Sequence, residues 1–200
     1  KLLITQDNGV RGLKFDIPMK ENADKIADEC PSLSTVVMVE RSGNDMFMKE
    51  GRDMTWNQFI DGCSNECPAE VMDAEDPLFI LYTSGSTGKP KGVMHTTGGY
   101  LLYVSHTHEL VFDYHQDDIY WCTADIGWIT GHSYIVYGPL SNAVTQVIFE
   151  GVPNYPDFGR FWQIVEKHKV NVFYTAPTAL RALMKEGDDW VTKYDLSSLK

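Results

Sequence analysis

The segment Tyr82–Gly92 combines residue types that could bind a polyphosphate. Beyond the tyrosine it contains four residues with hydroxyl donors, three glycines and two lysines. A polyphosphate needs several donors that point inward, cationic charge, and a backbone without Cβ atoms where it approaches the phosphate oxygens. A compact, buried apolar strand is predicted over Leu78–Thr83, directly before the loop, and would hold it rigid. Composition and position therefore predict a phosphate-binding loop.

Two familiar nucleotide-binding patterns do not fit this loop. A P-loop running through Gly88 and Lys89 would need a glycine where the chain has Thr83 and a hydroxyl residue where it has Pro90. The order of the glycines also differs from the dinucleotide-binding pattern. A flexible surface linker is the alternative, and the preceding strand and the Lys-Pro-Lys exit count against it.

The cysteines and histidines offer little support for a metal site. Cys63 and Cys67 could form half of one, but no second pair or nearby histidine completes it. Core or incidental thiols in a reducing compartment are the favoured interpretation. His106 and His108 have no third ligand suggested by the sequence. No metal ligand and no catalytic residue is therefore assigned within the 200 residues.

Alternating strand and helix patterns predict the scaffold that positions the loop. Strands are predicted at Leu2–Thr5, Thr35–Glu40, Leu78–Thr83, Val93–Thr96, Ile119–Cys122, Val144–Glu150 and Val170–Tyr174. Helices are predicted at Asn22–Cys30, Thr97–Leu110, Gly131–Leu140 and Asp157–His168, and from Thr55 and Pro177. The fold class is α/β, a mostly parallel sheet flanked by helices, with functional loops at the carboxyl ends of the strands. The polar segment Ser64–Pro77 is the predicted internal boundary.

Four helices are expected to bury an apolar face because their apolar residues recur at helical spacing. The first buries Ala23, Ile26, Ala27 and Cys30. The second, with Thr55 as its N-cap, buries Trp56, Phe59, Ile60 and Cys63. The helix that Asp157 caps carries Phe161, Ile164, Val165 and His168 on one face, and the helix that Pro177 opens carries Leu180, Leu183 and Met184.

Composition and charge exclude several classes of protein. Hydrophobic residues make up 43% of the chain, which is ordinary for a globular protein and excludes disordered and collagen-like chains. The 17 basic and 28 acidic residues give a net charge of −11, which argues against a broad nucleic-acid or anionic-membrane surface. No apolar run approaches the ~20 residues needed to span a bilayer. Without a visible secretory signal, a cytoplasmic location is expected, or an organelle if a targeting peptide has been removed.

Ordered sequence blocks over nearly the whole chain resemble one family. The segment Tyr82–Gly92 resembles the phosphate loop of the adenylate-forming superfamily, which includes the acyl-CoA synthetases. Four further blocks complete the pattern: His95–Tyr100, Asp118–Tyr134, Phe149–Pro156 and Tyr174–Leu183. Together these blocks resemble the AMP-forming acetyl-CoA synthetases.

The resemblance implies that residues 1–200 are part of the large N-terminal domain of an adenylate-forming enzyme, incomplete at both ends. Residues 1–74 would form a βαβ segment on the CoA side, and residues 75–200 would carry the phosphate loop and the acyl pocket. The C-terminal domain, with the lysine needed for adenylation, would be absent. The 200 residues alone are therefore expected to be inactive.

The activity implied by the resemblance is an ATP-dependent ligation. The complete enzyme would activate acetate with MgATP to acetyl-adenylate and pyrophosphate, and then transfer the acetyl group to coenzyme A, giving acetyl-CoA and AMP. Acetate, ATP and CoA would be its small-molecule partners, without nucleic acid or membrane, and the oligomeric state stays open. A propionyl-CoA or other short-chain acyl-CoA synthetase is one alternative, and a non-catalytic nucleotide-binding or assembly module is another.

The resemblance also implies roles for individual residues. The implied ligands of the ATP phosphates are Thr83, Ser84, Gly85, Ser86, Thr87, Gly88 and Lys89, while Lys91 either joins them or lies in solvent. The implied wall of the acyl pocket is Trp128, Ile129 and Thr130, with a plain core tryptophan as the alternative for Trp128. The implied CoA contacts are Arg11, Gly12, Leu13, Lys14, Thr130 and Asn154.

Two of these assignments carry qualifications from the residues themselves, and a third residue, His132, is given no role in ligand binding. Leu13 stands where a small residue, often glycine, is expected, and an ordinary exposed basic turn is the alternative for its segment. Asn154 could simply form a turn. Because acetate is already ionised at pH 7 and needs no base, His132 is expected to have a structural or packing role.

Overall fold

The computed structural model describes residues 1–83 and 88–200. These residues form two compact units, Lys1–Pro68 and Ala69–Lys200, and the division lies in the polar segment Ser64–Pro77. Each unit contains a parallel sheet flanked by helices, which confirms the predicted α/β class. Every helix in the described part of the chain is too short or too polar to cross a lipid bilayer.

The first unit is built on a three-stranded parallel sheet. Its elements are β1 (Leu2–Gln6), β2 (Gly9–Arg11), β3 (Lys14–Ile17), α1 (Met19–Glu29), β4 (Thr35–Val39), β5 (Asp53–Thr55) and α2 (Trp56–Ile60). The sheet order is β1–β4–β5, and the central strand β4 buries Val36 and Val37 completely. Ala23 and Ala27 of α1 are buried, as its apolar spacing predicts. Strands β2 and β3 form an antiparallel hairpin, which was not predicted from the sequence.

A buried group of charges links α1 to β5 in this unit. The Lys20 side chain is 1% exposed, and its Nζ donates to Asp24 and Asp53 at 2.7–2.8 Å and to the carbonyl oxygen of Phe47 at 3.0 Å. Arg52 donates to the same two carboxylates. Burial alone would raise the pKa of Asp53, but the hydrogen bonds from Arg52 and Lys20 outweigh it and lower the pKa to about 2. Asp53 is therefore ionised at neutral pH, and Asp53 and Asp24 together balance the charges of Lys20 and Arg52.

Asp7, which directly follows β1, is a second buried charge in the first unit. Its carboxylate accepts hydrogen bonds from the backbone N–H groups of Asn8, Ser42 and Gly43 and from the Ser42 hydroxyl, at 2.7–3.1 Å. Burial alone would raise the pKa of Asp7, but the hydrogen bonds from Asn8 and Ser42 lower it to about 2. The carboxylate thus holds the turn after β4 against the end of β1.

The second unit combines an antiparallel hairpin with a parallel sheet. Its elements are β6 (Pro77–Thr83), β7 (Lys91–Thr96), α3 (Thr97–Phe112), β8 (Ile119–Cys122), α4 (Ile129–Gly131), a π-helical turn (His132–Tyr137), α5 (Gly138–Ser141), β9 (Thr145–Val147), α6 (Arg160–His168), β10 (Val172–Tyr174), α7 (Pro177–Met184) and α8 (Asp189–Thr192). Strands β6 and β7 form the hairpin. The parallel sheet has the order β10–β8–β9.

Strand β8 lies at the centre of the second unit because its alternate residues enter two different cores. Trp121 packs with Phe161 and Val165 of α6 on one side of the sheet. Tyr120 and Cys122 belong to a separate cluster on the other side, where Tyr120 contacts aromatic rings of α3. Successive side chains of a strand point to opposite faces, so helices cover both faces of this sheet.

The expected burial of the strand before the phosphate loop is wrong. In β6, the side chains of Leu78, Ile80 and Tyr82 are 43%, 60% and 68% exposed. Among the described residues β6 pairs with β7 alone, and the exposed side chains of Leu78, Ile80 and Tyr82 alternate along the strand, so the face that carries them is largely uncovered. An apolar run indicates that a strand could be buried but does not identify the element that covers it.

Several helical stripes are also less buried than expected. Helix α2 has five residues, none of them buried, and Cys63 beyond its end is exposed. The exposed fractions of Ile26, Leu180 and Met184 are 57%, 37% and 73%. On α6, His168 is exposed and Trp162 is buried instead. Helical spacing establishes which residues share a face, whereas burial depends on a partner element distant in sequence.

Candidate functional site

The predicted phosphate loop is the tip of the β6–β7 hairpin. The strands pair through Thr83 and Lys91, so residues 84–90 form the connection. Four of the expected phosphate ligands lie outside the described residues: Ser84, Gly85, Ser86 and Thr87. Gly88 and Lys89 are described and exposed. The last strand pair therefore fixes the two ends of the loop side by side, with a cationic residue at its exit.

Gly88 is required for the path of this loop. Its φ of +81° lies in the left-handed region, which residues with a side chain rarely adopt. Nothing lies within 4 Å of the position that a Cβ would occupy, so the requirement is conformational rather than steric. The glycine turns the chain immediately before Lys89.

The base of the hairpin is closed by backbone hydrogen bonds. The N–H group and the hydroxyl of Thr97 both donate to the carbonyl oxygen of Asp76, at 2.9 Å and 3.1 Å. The N–H group of Gly98 donates to the carbonyl oxygen of Ala74 at 2.9 Å. Asp76 precedes β6 and Thr97 follows β7, so these bonds tie both ends of the hairpin to the start of α3.

The expected wall of the acyl pocket forms the first turn of α4. Trp128 is the N-cap residue, and its carbonyl oxygen accepts from the N–H groups of Gly131 and His132 at 2.9 Å and 3.2 Å. Its indole is 71% exposed, which contradicts the alternative of a plain core tryptophan. Ile129 and Thr130 are half-buried. A large aromatic ring, an aliphatic side chain and a hydroxyl thus follow one another on a single helical turn.

The parallel sheet brings two predicted site loops to one edge. The carboxyl ends of parallel strands meet at the same edge of a sheet, and the loop after β8 carries Trp128 while the loop after β9 carries the exposed Asn154. At this edge, the N–H group of Thr123 donates to the carbonyl oxygen of Tyr174 at 3.0 Å, and its hydroxyl donates to the Thr175 hydroxyl at 2.5 Å. The ends of β8 and β10 are therefore joined directly beneath the loops.

The Arg11–Lys14 segment forms the turn of the β2–β3 hairpin in the first unit. Arg11 pairs with Lys14 across the turn, and both residues are exposed. Gly12 has a φ of +60°, and Leu13 is 78% exposed. The hairpin thus presents two cations at one end. Their expected contact with CoA stays a prediction.

His132 does not have the packing role that was expected for its side chain. The residue is exposed at the start of the π-helical turn. Its contribution to the local structure is a backbone one, through its N–H group and the carbonyl oxygen of Trp128.

The part of the chain that the structure describes contains no cluster of three His, Cys, Asp or Glu residues arranged to hold a metal ion. Cys63 and Cys67 are exposed free thiols, and Cys122 is a buried one. Among the predicted ligand-binding residues, the exposed cations are Lys89 in the second unit and Arg11 and Lys14 in the first.

Two features of this region were not predicted from the sequence. Thr123 and Thr175 directly follow two strands that proved to be parallel neighbours, and the rule that functional loops gather at carboxyl ends could have singled them out. Gly131 was placed in a helix without a role of its own. A glycine inside a helical pattern lowers helix stability relative to alanine, and this unfavourable residue choice is the signal that could have drawn attention to Gly131.

Comparison with known proteins gives a consistent result over the full chain. A model of the family described as AMP-binding enzymes matches residues 1–200. The chain is 63% identical to acetyl-coenzyme A synthetase 2 of Pseudomonas aeruginosa and 60% identical to the acetyl-coenzyme A synthetase of Syntrophobacter fumaroxidans, and both matches cover 100% of this chain and 31% of the relative. It is 61% identical to acetyl-coenzyme A synthetase 2 of Pseudomonas putida over 94% of this chain and 29% of the relative. The chain therefore spans less than a third of the length of these relatives.

Proposed function

This chain belongs to the family of AMP-binding enzymes, and we propose that it is part of an AMP-forming acetate–CoA ligase. The observation that carries the proposal is the identity of 60–63% over all 200 residues with proteins named acetyl-coenzyme A synthetase. Because the chain covers 31% of those relatives, the activity is proposed for the complete protein. Residues 1–200 would be part of its N-terminal domain, with residues 1–74 on the CoA side and residues 75–200 carrying the phosphate loop and acyl pocket.

The proposed reaction has two steps. A carboxylate oxygen of acetate attacks the α-phosphorus of ATP, the bond to the β-phosphate oxygen breaks, and pyrophosphate leaves. The thiolate sulfur of coenzyme A then attacks the acetyl carbonyl carbon, a thioester forms, and AMP leaves with the electron pair of the broken bond. ATP and CoA are the proposed cosubstrates, and Mg²⁺ enters the proposal as the ion that accompanies ATP, without an assigned protein ligand.

Phosphoryl chemistry of this kind depends on alignment and charge stabilisation more than on a protein nucleophile. The hairpin tip is suited to that task because Lys89 is exposed next to a glycine-dependent turn and Thr83 supplies a hydroxyl at the other end of the loop. We assign Thr83, Gly88 and Lys89 to the β- and γ-phosphates, together with the four residues between them. Their donors would stabilise the charge that develops on the leaving pyrophosphate.

The first turn of α4 would select the acid. A pocket wall made of the Trp128 indole, the Ile129 side chain and the Thr130 hydroxyl offers a small space with an aliphatic surface for a methyl group. One additional methylene in such a pocket changes the preference by about 10–200-fold. The exposed indole supports this role because it is available to a ligand rather than committed to the core.

Coenzyme A would use the remaining predicted residues. Arg11 can bind a phosphate through its planar fork and Lys14 as a point charge, with the backbone of Gly12 and Leu13 between them. Thr130 and Asn154 would contact CoA from the edge of the parallel sheet. A cytoplasmic location is proposed on the basis of the four free cysteines, which suit a reducing compartment.

The proposal is tested on the complete protein that contains these residues. It should catalyse acetate-dependent exchange between ATP and pyrophosphate and, with CoA, form AMP. A Lys89→Ala variant should lose at least about tenfold in the exchange rate because one donor to the developing charge is removed. Lys185→Ala, which removes an exposed lysine just after α7, is the matched control and should retain the full rate.

Two results would reject or redirect the proposal. An unmodified protein that forms no AMP with acetate or propionate in the presence of ATP and CoA is not a short-chain acyl-CoA synthetase. A specificity constant for propionate above that for acetate would assign the protein to the alternative substrate.

A further inference from the structure

Gly131 has a helical backbone that does not by itself require glycine. Its φ and ψ of −65° and −46° are ordinary α-helical values that any residue can adopt. Alanine is the better helix former at such a position because glycine loses more backbone entropy on folding. The residue is also buried. The absence of a side chain must therefore have a cause in its surroundings.

The cause is a backbone that passes directly over Gly131. A Cβ at this position would collide with the carbonyl oxygen of Asp125, and it would lie 2.7 Å from Cα of Ile126 and 2.9 Å from the carbonyl carbon of Asp125. All three are backbone atoms, which cannot rotate away as the end of a side chain can. The first turn of α4 lies against the Asp125–Ile126 backbone only because residue 131 has no Cβ.

The same carbonyl group that touches Gly131 also holds Trp128. The carbonyl oxygen of Asp125 accepts from the N–H group of Trp128 at 3.1 Å, and the Asp125 Oδ1 atom accepts from the N–H group of Gly127 at 2.8 Å. The carbonyl oxygen of Trp128 in turn accepts from the N–H group of Gly131 at 2.9 Å. Loop and helix start are thus locked to each other through Asp125, Trp128 and Gly131.

We propose that Gly131 is a positioning residue that sets the acid specificity by fixing Trp128 against the Asp125 carbonyl group. The inference rests on the proposed role of the Trp128–Thr130 turn as the acyl-pocket wall. A methyl group at residue 131 must push the helix start away from the loop, and the hydrogen bond from Trp128 to Asp125 is lost. The backbone of Trp128 then shifts, its indole moves with it, and the displaced wall admits a longer acid.

The first test is Gly131→Ala in the complete enzyme. Its KM for acetate should rise about tenfold while kcat changes less than about threefold, and the preference for acetate over propionate should fall about tenfold. The matched control is Gly138→Ala, which adds the same methyl group to the same helical segment. There the Cβ would lie 2.7 Å and 3.0 Å from the carbonyl oxygens of Ser133 and Val104, away from the Asp125 loop. The control should lower stability and leave the acid preference unchanged.

A second pair of variants tests the same lock without inserting any clash. Asp125→Ala removes the acceptor for the Gly127 N–H group, whereas Asp125→Asn retains an oxygen in the same place. Asp125 is exposed, so both variants should fold even if Gly131→Ala does not. The alanine variant should lower the preference for acetate about threefold, as expected for the loss of one hydrogen bond, and the asparagine variant should retain the preference of the unmodified enzyme.

The outcomes separate this inference from the proposed function. A folded Gly131→Ala enzyme with unchanged acid preference, or equal preferences for Asp125→Ala and Asp125→Asn, would overturn the positioning role while leaving the ligase activity in place. An unmodified enzyme without acetate-dependent AMP formation would instead show that the proposed function is wrong, and the inference with it.

Discussion

The two compact units differ in how fully their buried polar side chains are hydrogen-bonded. In Lys1–Pro68, the buried side chains of Lys20, Asp7 and Asp53 all have charged or hydrogen-bonding partners. In Ala69–Lys200, some buried side-chain atoms lack a hydrogen-bond partner among the described residues: His108 Nε2, Trp121 Nε1, Gln146 Oε1 and Trp162 Nε1. Buried charge pairs are the main feature of the first unit, and packed aromatic rings are the main feature of the second, which also contains the buried Asp118 paired with Lys200.

This difference determines which kinds of substitution each unit should tolerate. Removing one member of a buried charge pair leaves its partner uncompensated, so the first unit is sensitive to charge. An aromatic core is sensitive to volume because the structure relaxes only in part around a cavity.

The largest loss of stability is expected for Trp121→Ala. Trp121 is fully buried and contacts the rings of Phe149, Phe161 and Phe173. Its truncation should lower the free energy of unfolding by about 3–5 kcal/mol, measured by urea denaturation followed by circular dichroism. Trp121→Phe keeps a ring and removes the unpartnered indole N–H group, so its loss should be clearly smaller. Equal losses for the two variants would contradict the dependence on aromatic volume.

Lys20→Met should destabilise the first unit by about 3 kcal/mol. Methionine matches the length of lysine and suits a helix, but the substitution leaves Asp24 and Asp53 without the Lys20 ammonium group. The measurement is hydrogen exchange at the buried amide of Val37 in β4. Lys25→Met, at an exposed position of the same helix, is the control and should stay within about 0.5 kcal/mol of the unmodified protein. A similar exchange rate in both variants would show that the buried ion pairs of Lys20 do not stabilise the first unit.

Acid should weaken the two units in different pH ranges. Burial lowers the pKa of His108 to about 4, against about 6.5 in an unfolded chain. Between these two pH values the unfolded chain binds a proton that the native state does not. The stability of the second unit is therefore unaffected by His108 above about pH 6.5, and it declines as the pH falls towards 4. The pKa values of Asp7 and Asp53 are both lowered to about 2. Their contribution to the stability of the first unit is therefore complete above about pH 3.9, and it is lost as the pH falls from 3.9 to 2.

The test compares amide exchange at Val165 and Val37 as the pH falls from 7 to 3. Val165 should lose protection first, and His108→Gln should reduce that early loss. The environment of His108 is mostly neutral, since its Nδ1 atom lies 3.2 Å from Asn142 Nδ2 and its ring contacts Phe112 and Tyr120. If both valines lost protection from exchange together above pH 4, the two units would not differ in their sensitivity to acid.

The smallest effect is expected for Thr55→Ala in the first unit. The Thr55 hydroxyl accepts from the N–H group of Gln58 at 3.3 Å, and the Gln58 side chain accepts from the N–H group of Thr55 at 2.9 Å. Loss of this capping box should cost about 1 kcal/mol, observed as a small fall in the urea midpoint. Thr55→Ser keeps the hydroxyl and should show almost no change. A loss as large as that of Lys20→Met would mean that α2 contributes more than its exposed surface suggests.

Local chemistry made much of this fold predictable. The N-cap at Thr55, the helix that Pro177 opens and the strand Ile119–Cys122 follow from short-range patterns, and the structure confirms all three. The phosphate-loop prediction rests on the same kind of evidence, since the hydroxyls, glycines and lysines of Tyr82–Gly92 are adjacent in the chain, and its ligand role stays a prediction.

What could not be predicted depends on contacts between distant residues. The burial of Lys20 requires Asp53, 33 residues further along the chain. The exposure of β6 depends on which strands lie beside it, and the apolar run alone suggested the opposite. The contact between Gly131 and the Asp125 carbonyl group arises from the path of a loop, which no periodic pattern encodes.

The hydrogen bond from Gly98 to Ala74 has a consequence for where the chain can be divided, by proteolysis or in expression experiments. Residues 61–71 are exposed throughout, so a cut among them leaves the hydrogen bonds at the hairpin base intact. A cut after Asp76 would separate Ala74 and Asp76 from the residues that they support at the start of α3. The short acidic stretch before β6 therefore belongs, as a matter of folding, with the second unit, and a boundary drawn at residue 77 would sever it from that unit.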